Sequence, residues 1–250
     1  MANDKKETNA EPNPAYKDLN DPIEAYEPVT RQKFGIPNEK DDHTLSLFIG
    51  PTRGGKSYQI KKLLVDCWLC PDGKPPFERI YYVGQEKSFQ EMRTAFAAME
   101  YAYTGQQDNF TTEVKLYTCT QVQDCLNDID AADKKIKKFA IFDDCYTINS
   151  TNKLRERMVN TFQQGQHHAL SSWVVVHQST EKNGVTLRKP ANYIFFCNEP
   201  PQTVALITQC SPDSEPLRQY EVSSKSNDGH RFLIFDQSNY AFYDNNYLKI

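Results

Sequence analysis

Apolar residues fall in short blocks that recur from Thr44 onward, separated by polar segments with helical spacing. "TLSLFIG" opens the series. "ERIYYVG" (78–84), "EVKLYT" (113–118), "KFAIFDDC" (138–145), "SSWVVVHQ" (171–178) and "NYIFFCN" (192–198) continue it. Short runs this rich in Val, Ile, Phe and Tyr predict strands. Between them, the spacing predicts helices over 56–67 and 88–99 and in "NKLRERMVNTFQQGQHH". A further amphipathic helix is predicted in "TQVQDCLNDIDAADKKI", with Val122, Leu126 and Ile129 on one face. Alternating strands and helices imply an α/β fold with a doubly wound, mainly parallel sheet. After residue 215 the signals shift to "PLRQYEVSS", "RFLIFD" and "YAFYDN". The last two are separated by Gln-Ser-Asn, which predicts a C-terminal antiparallel hairpin over roughly residues 230–245. The chain carries no internal repeat.

Residues 1–43 have no periodic apolar face and are rich in Pro, Asn, Asp, Glu and Lys. Such a segment cannot bury enough surface to offset its ordering entropy. The expectation is a tail, flexible or laid on a neighbouring surface, followed by one domain over 44–250.

Composition narrows the class. The chain has 250 residues, 38% of them hydrophobic and 12% aromatic, enough to fill a sizeable core. Net charge is −4, which argues against a protein that coats nucleic acid with a wholly basic surface but leaves room for a local basic segment. No apolar run approaches the ~20 residues of a membrane span, and the N-terminus does not read as a signal peptide. The seven cysteines are an odd number scattered through core-like segments, which suits reduced thiols in a cytosol-like compartment. Cys67 and Cys70 in "CWLC" have metal-like spacing but no second pair follows, so they read as thiols at a helix end.

The chemistry is concentrated at "GPTRGGKS", Gly50–Pro51–Thr52–Arg53–Gly54–Gly55–Lys56–Ser57, which fits G-x-x-x-x-G-K-[ST] at every fixed position. Gly50 ends a strand, and Gly54 and Gly55 permit the positive φ and close backbone approach that a ring of N–H donors requires. The helix that starts next adds its dipole. Lys56 reaches the β- and γ-phosphates of ATP, Ser57 offers a hydroxyl to Mg²⁺, and Tyr58 follows at the rim. "FAIFDDC" delivers two carboxylates to the C-terminal edge of the sheet, where open α/β proteins bind ligands. Asp143 is expected to hold Mg²⁺ and Asp144 to act as general base on the attacking water. "SSWVVVHQ" ends at the same edge with Gln178, an amide able to sense the γ-phosphate. His177 is expected to face packing or solvent, and the tandem His167 and His168 lack partners for a metal site.

Two strand–helix units separate the glycine loop from the acidic strand. This order resembles the P-loop NTPases of the additional-strand, catalytic-acid (RecA-like) type, and no Asn-Lys-x-Asp guanine-reading motif is present. More specifically, "GPTRGGKS … FAIFDDC … GQHHALSSWVVVHQST … GVTLRKPANYIFFCN" resembles the viral genome-packaging ATPases of the FtsK/HerA superfamily, the poxvirus-type enzymes above all. The resemblance spans roughly Leu45 to Asn198. It implies an ATP-hydrolysing motor that drives double-stranded DNA into a preformed capsid as a homo-oligomeric ring, located in host cytoplasm or virion. It further implies an arginine acting on a neighbour's nucleotide. Arg188 is the first candidate; Gln166 stands where the family often has Arg, so Arg155 and Arg157 compete. "KKIKK" (134–138) and "NKLRER" (152–157) are the candidate DNA-contacting segments. A capsid vertex protein is an implied partner. A DNA-export or assembly ATPase of the same superfamily and a nucleotide-gated scaffold are the alternative readings.

Overall fold

The computed structural model describes residues 43–68, 77–104, 112–145, 151–177, 186–223, 230–245 and 247–250. Residues 1–42 of the expected tail, Cys70 and Gln178 lie outside them, as does the side chain of Cys67.

The glycine-loop strand is β1 (Leu45–Ile49), followed by helix α1 (Lys56–Trp68). Next come β2 (Arg79–Gly84), α2 (Glu86–Thr104), β3 (Glu113–Thr118), a 3₁₀ turn (Cys119–Gln121) and α3 (Val122–Ala131). The acidic strand is β4 (Lys138–Phe142), then α4 (Asn152–Gln163), the single turn α5 (Gly165–His168) and β5 (Leu170–Val176). The chain closes with β6 (Tyr193–Cys197), α6 (Pro201–Thr208), α7 (Glu215–Ser223), β7 (Phe232–Asp236) and β8 (Ala241–Tyr243). "PLRQYEVSS" is therefore largely helical rather than part of the terminal β unit.

One eight-stranded sheet runs in the order β3-β2-β4-β5-β1-β6-β7-β8. The six strands β3 to β6 in this order are mutually parallel; β7 and β8 are antiparallel, paired to the sheet through β6. The expected hairpin thus extends the main sheet. β5 lies between the glycine-loop strand and the acidic strand, which is the additional-strand order.

Period-2 alternation sorts the side chains to two faces. On β4, Phe139 and Ile141 meet Leu63 and Leu64 of α1 and Met92 and Phe96 of α2. Ala140 and Phe142 face the opposite layer, with Leu126 and Ile129 of α3, Met158 and Phe162 of α4, and Leu217 and Tyr220 of α7. Trp173 of β5 is fully buried, edge-on to Phe139 at 4.9 Å and tilted to Phe48 at 5.3 Å. Full burial of such side chains contributes about 1.5–3 kcal/mol each. Thr151 caps α4 by accepting from Leu154 N–H at 3.2 Å, and Pro201 opens α6, where a missing N–H costs nothing. Because β1, β2, β4 and β5 are parallel, Gly50, Gln85, Asp143 and His177 all follow strand ends on one edge.

Candidate functional site

The glycine loop is shaped by the end of β6. A Cβ on Gly50 would lie 2.1 Å from the Cys197 carbonyl oxygen, and one on Gly54 would lie 2.7 Å from the same atom. Only glycine fits either position. Gly55 supplies the positive φ, at 89°, and Arg53 adopts the left-handed region as well, at 64°. The first turn of α1 follows directly, closed by Gln59 N–H to Gly55 O at 3.0 Å.

Lys56 is buried, with its ammonium donating to Gly50 O at 2.7 Å and Pro51 O at 2.9 Å. Its third contact is His177 Nδ1 at 3.2 Å. Burial lowers the Lys56 pKa, opposed by the charges of Asp144, Cys197, Asp143 and Glu199. An ammonium has no acceptor, so His177 Nδ1 accepts and the ring proton sits on Nε2. That Nε2–H donates to Asp144 Oδ2 at 2.8 Å. His177 therefore links the glycine-loop lysine to the second acid, with Thr52 Oγ1 also 3.5 Å from Nδ1. This corrects the expectation that His177 faces packing or solvent. β5 ends at Val176, the last apolar residue of the run and two short of Gln178, so the first residue past the strand is the histidine.

The two acids occupy different environments. Asp143 N–H donates to Val83 O at 2.8 Å, and its Oδ2 accepts from the Tyr82 hydroxyl at 2.9 Å. Burial raises the Asp143 pKa, and the adjacent Asp144 charge adds to the effect. Asp144 has φ 55°, an uncommon conformation for a non-glycine residue, and its buried Oδ1 has no hydrogen-bond partner among the described residues. An acceptor buried without a donor costs about 1–3 kcal/mol, which marks the atom for a ligand.

Lys56, Ser57, Asp143, Asp144, His177 and the loop residues Thr52 to Gly55 line one cavity of about 570 Å³. Tyr58, Gln85, Lys87, Ser88 and His230 complete its lining. The volume is within the range of small-ligand sites. The oxygen donors at hand, the Ser57 hydroxyl and the Asp143 carboxylate, suit Mg²⁺, which takes one or two protein oxygens and completes its shell with phosphate and water. A cation held there would also offset the burial and the Asp144 charge that raise the Asp143 pKa. Among the described residues no group of three or more His, Cys, Asp or Glu is arranged to hold a metal ion by itself.

Glu199, just beyond β6, was not foreseen; it is buried within the field of Lys56, and burial raises its pKa. Tyr82 was hidden in "ERIYYVG", where either tyrosine could face the site. The three candidate arginines are not gathered at the cavity. Arg188 precedes β6 at the opposite, N-terminal edge of the sheet, with its carbonyl accepting from Gln237 Nε2 at 2.8 Å. Arg157 is held to α3, donating to Asn127 Oδ1 at 2.9 Å and Asp130 Oδ2 at 2.7 Å. Arg155 is in the first turns of α4, the helix that follows the acidic strand. In "KKIKK", Lys134, Lys135 and Lys137 are exposed but Lys138 is fully buried. Its ammonium donates to Asp133 O at 2.6 Å and Ile136 O at 2.8 Å, so it is no DNA contact. Among the described residues no helix is long and apolar enough to cross a membrane.

No protein-family model matches the chain, and no curated protein matches it by sequence. Solved structures do match. B204, the DNA-packaging ATPase from Sulfolobus turreted icosahedral virus, superposes with a TM-score of 0.50 at 17% identity, over 80% of this chain and 95% of that one. The genome-packaging NTPase B204 from Sulfolobus turreted icosahedral virus 2, in complex with ATP-gammaS, gives 0.47 at 13% identity over 82% and 97%. The KaiC-like protein PH0186 from Pyrococcus horikoshii OT3 gives 0.42 at 14% identity over 66% and 79%. At these identities the likeness is one of fold: the chain has the fold of a P-loop NTPase, shared with a viral DNA-packaging ATPase.

Proposed function

We propose that this protein is an ATP-hydrolysing motor that moves double-stranded DNA into a preformed viral capsid, working as a homo-oligomeric ring. The observation that carries the reading is the Lys56–His177–Asp144 chain, which joins the phosphate-binding lysine to a paired acid in one cavity. A protein that only binds nucleotide has no use for a carboxylate held in this way. The fold it shares with a DNA-packaging ATPase supports the same reading.

In this account the N–H groups of Gly54 to Ser57 and the Lys56 ammonium hold the triphosphate of ATP. Ser57 and Asp143 hold Mg²⁺, which when bound neutralises developing charge on the phosphate oxygens. Asp144 takes a proton from the attacking water, its free Oδ1 being the available acceptor. Gln178, two residues beyond β5, senses the γ-phosphate. An arginine from a neighbouring subunit stabilises the transition state and couples hydrolysis to subunit contact, an effect worth about 10³–10⁵ in rate. Arg188, on the edge away from its own cavity, serves only in trans; Arg155 and Arg157 remain its competitors. Lys134, Lys135 and Lys137 track DNA phosphates, and a capsid vertex protein anchors the ring.

The test is ATP turnover of the wild type and Asp144→Asn, each with and without duplex DNA. Turnover that rises with DNA and collapses in the variant supports the motor. ATP binding without turnover in any condition, capsid protein included, moves the reading to a nucleotide-gated scaffold.

A further inference from the structure

Cys119 and Cys145 come from strands that are not neighbours. Cys119 opens the 3₁₀ turn after β3, and Cys145 follows the acidic pair after β4, with β2 running between them. Two strand spacings amount to about 9.5 Å, yet the two Sγ atoms are 3.3 Å apart. The turn at Asp144 makes the approach possible. Its left-handed φ carries the chain across the end of β2, where the Cys145 thiol donates to Val83 O at 3.1 Å and lies 3.0 Å from Asp143 O. Cys145 is fully buried and Cys119 is half-buried, so Cys119 is the more accessible residue of the pair. The other described thiols lack this arrangement: Cys125 and Cys197 are buried without a sulfur partner, and Cys210 has the Tyr240 hydroxyl at 3.7 Å.

We infer that Cys119 and Cys145 are an oxidisable thiol pair, a modification site that reacts with a peroxide and closes to a disulfide across the end of β2. In the first step the Cys119 sulfur attacks a peroxide oxygen and the O–O bond breaks, giving a sulfenic acid and, from hydrogen peroxide, one water. In the second, the Cys145 sulfur displaces that hydroxyl, the S–S bond forms and a second water leaves. Two thiols lose two electrons in all, and one peroxide is reduced to two waters. Intracellular disulfides of this kind are typically transient and redox-sensing.

The consequence for the site follows from the chain. A disulfide bond is about 2.05 Å long, so closure from the 3.3 Å contact draws Cys145 toward β3 and drags the adjoining Asp144 with it. A displacement of ~1 Å at a catalytic group costs about 10²-fold in rate. The effect on turnover rests on the ATPase reading; formation of the disulfide does not.

The full chain is treated with hydrogen peroxide, alkylated, and digested without reduction for mass mapping. A Cys119–Cys145 cross-linked peptide that disappears in Cys119→Ser and on dithiothreitol treatment is expected. ATP turnover falls about 10²-fold on oxidation, returns on reduction, and resists peroxide in Cys119→Ser. Recovery of Cys119 and Cys145 as separately alkylated thiols, under peroxide that oxidises Cys210, overturns the pair. A mapped disulfide with unchanged turnover overturns its hold on the acids. A chain that never hydrolyses ATP overturns the ATPase reading alone, because the mass map decides the thiol pair by itself.

Discussion

His177 Nε2 lies 2.8 Å from Asp144 Oδ2 while its Nδ1 lies 3.2 Å from the Lys56 ammonium. One imidazole thus ties the second acid to the lysine of the glycine loop. The three protons of Lys56 go to Gly50 O, Pro51 O and the ring. In the proposed mechanism His177 is therefore a positioning residue for Asp144. His177→Ala is expected to lower kcat about 10- to 100-fold, within the contribution of a positioned base, with KM for ATP little changed. His177→Gln, whose Nε2 can still donate to Asp144, is expected to recover part of the loss. Steady-state phosphate release reads both, and equal kcat in all three proteins would remove His177 from the mechanism.

Asp143 presents a pH dependence with a definite sign. Burial and the neighbouring Asp144 charge raise its pKa above the ordinary value. The folded protein then binds more protons than the unfolded chain between about pH 4 and the raised pKa. Stability without Mg²⁺ falls as pH rises through that window, and the loss persists above it. Asp143→Asn is therefore expected to raise Tm more at pH 8 than at pH 4 while abolishing turnover. Scanning calorimetry at the two pH values checks this; an Asn variant with lower Tm at pH 8 would contradict it.

Much of this was legible from alternation and spacing. "KFAIFDDC" and "SSWVVVHQ" announce buried parallel strands because every other residue must fill one of two helical layers, and the glycine loop is recognisable because few sequences need Gly50, Gly54 and Gly55 together. The failures are local. The strand expected over 171–178 stops at Val176, so His177 falls just past its end, and an apolar run does not say which way the next side chain turns. Lys138 looks like part of a basic surface run, but the strand starts at that residue, and the carbonyls of Asp133 and Ile136 accept its protons inside. The Cys119–Cys145 contact depends on a left-handed φ at Asp144, a conformation aspartate tolerates better than most residues but that its presence in the sequence does not dictate.

The two ends of the glycine loop are expected to fail differently. Gly50→Ala forces a methyl to within 2.1 Å of the Cys197 carbonyl, a backbone atom that cannot yield without parting β1 from β6. Overpacking of this kind costs about 1–3 kcal/mol or more, and ATP binding is expected to go with it. Gly55→Ala meets nothing nearer than His230 Nδ1 at 3.8 Å, so its cost is the positive φ alone, about 1–2 kcal/mol. Urea unfolding of both variants should rank Gly50→Ala as the less stable; the reverse order would mean that the loop relaxes away from β6.

Lys138 and its neighbours separate a structural lysine from those proposed to contact DNA. Lys138→Ala removes a buried ammonium that satisfies two carbonyls, and is expected to cost about 1–3 kcal/mol of stability by leaving them unpaired. Its effect on the salt dependence of duplex binding should be nil. Lys134, Lys135 and Lys137 are exposed on the same turn, where charge meets solvent or phosphate. Each phosphate contact contributes about 0.9 to the slope of log K against log salt. Replacing all three by Ala is expected to flatten that slope by about 2.7 if each touches DNA, with Tm unchanged. Fluorescence anisotropy of a labelled duplex across a salt series measures the slope. A triple variant with the wild-type slope would exclude this turn from the DNA path, whatever the fate of Lys138→Ala.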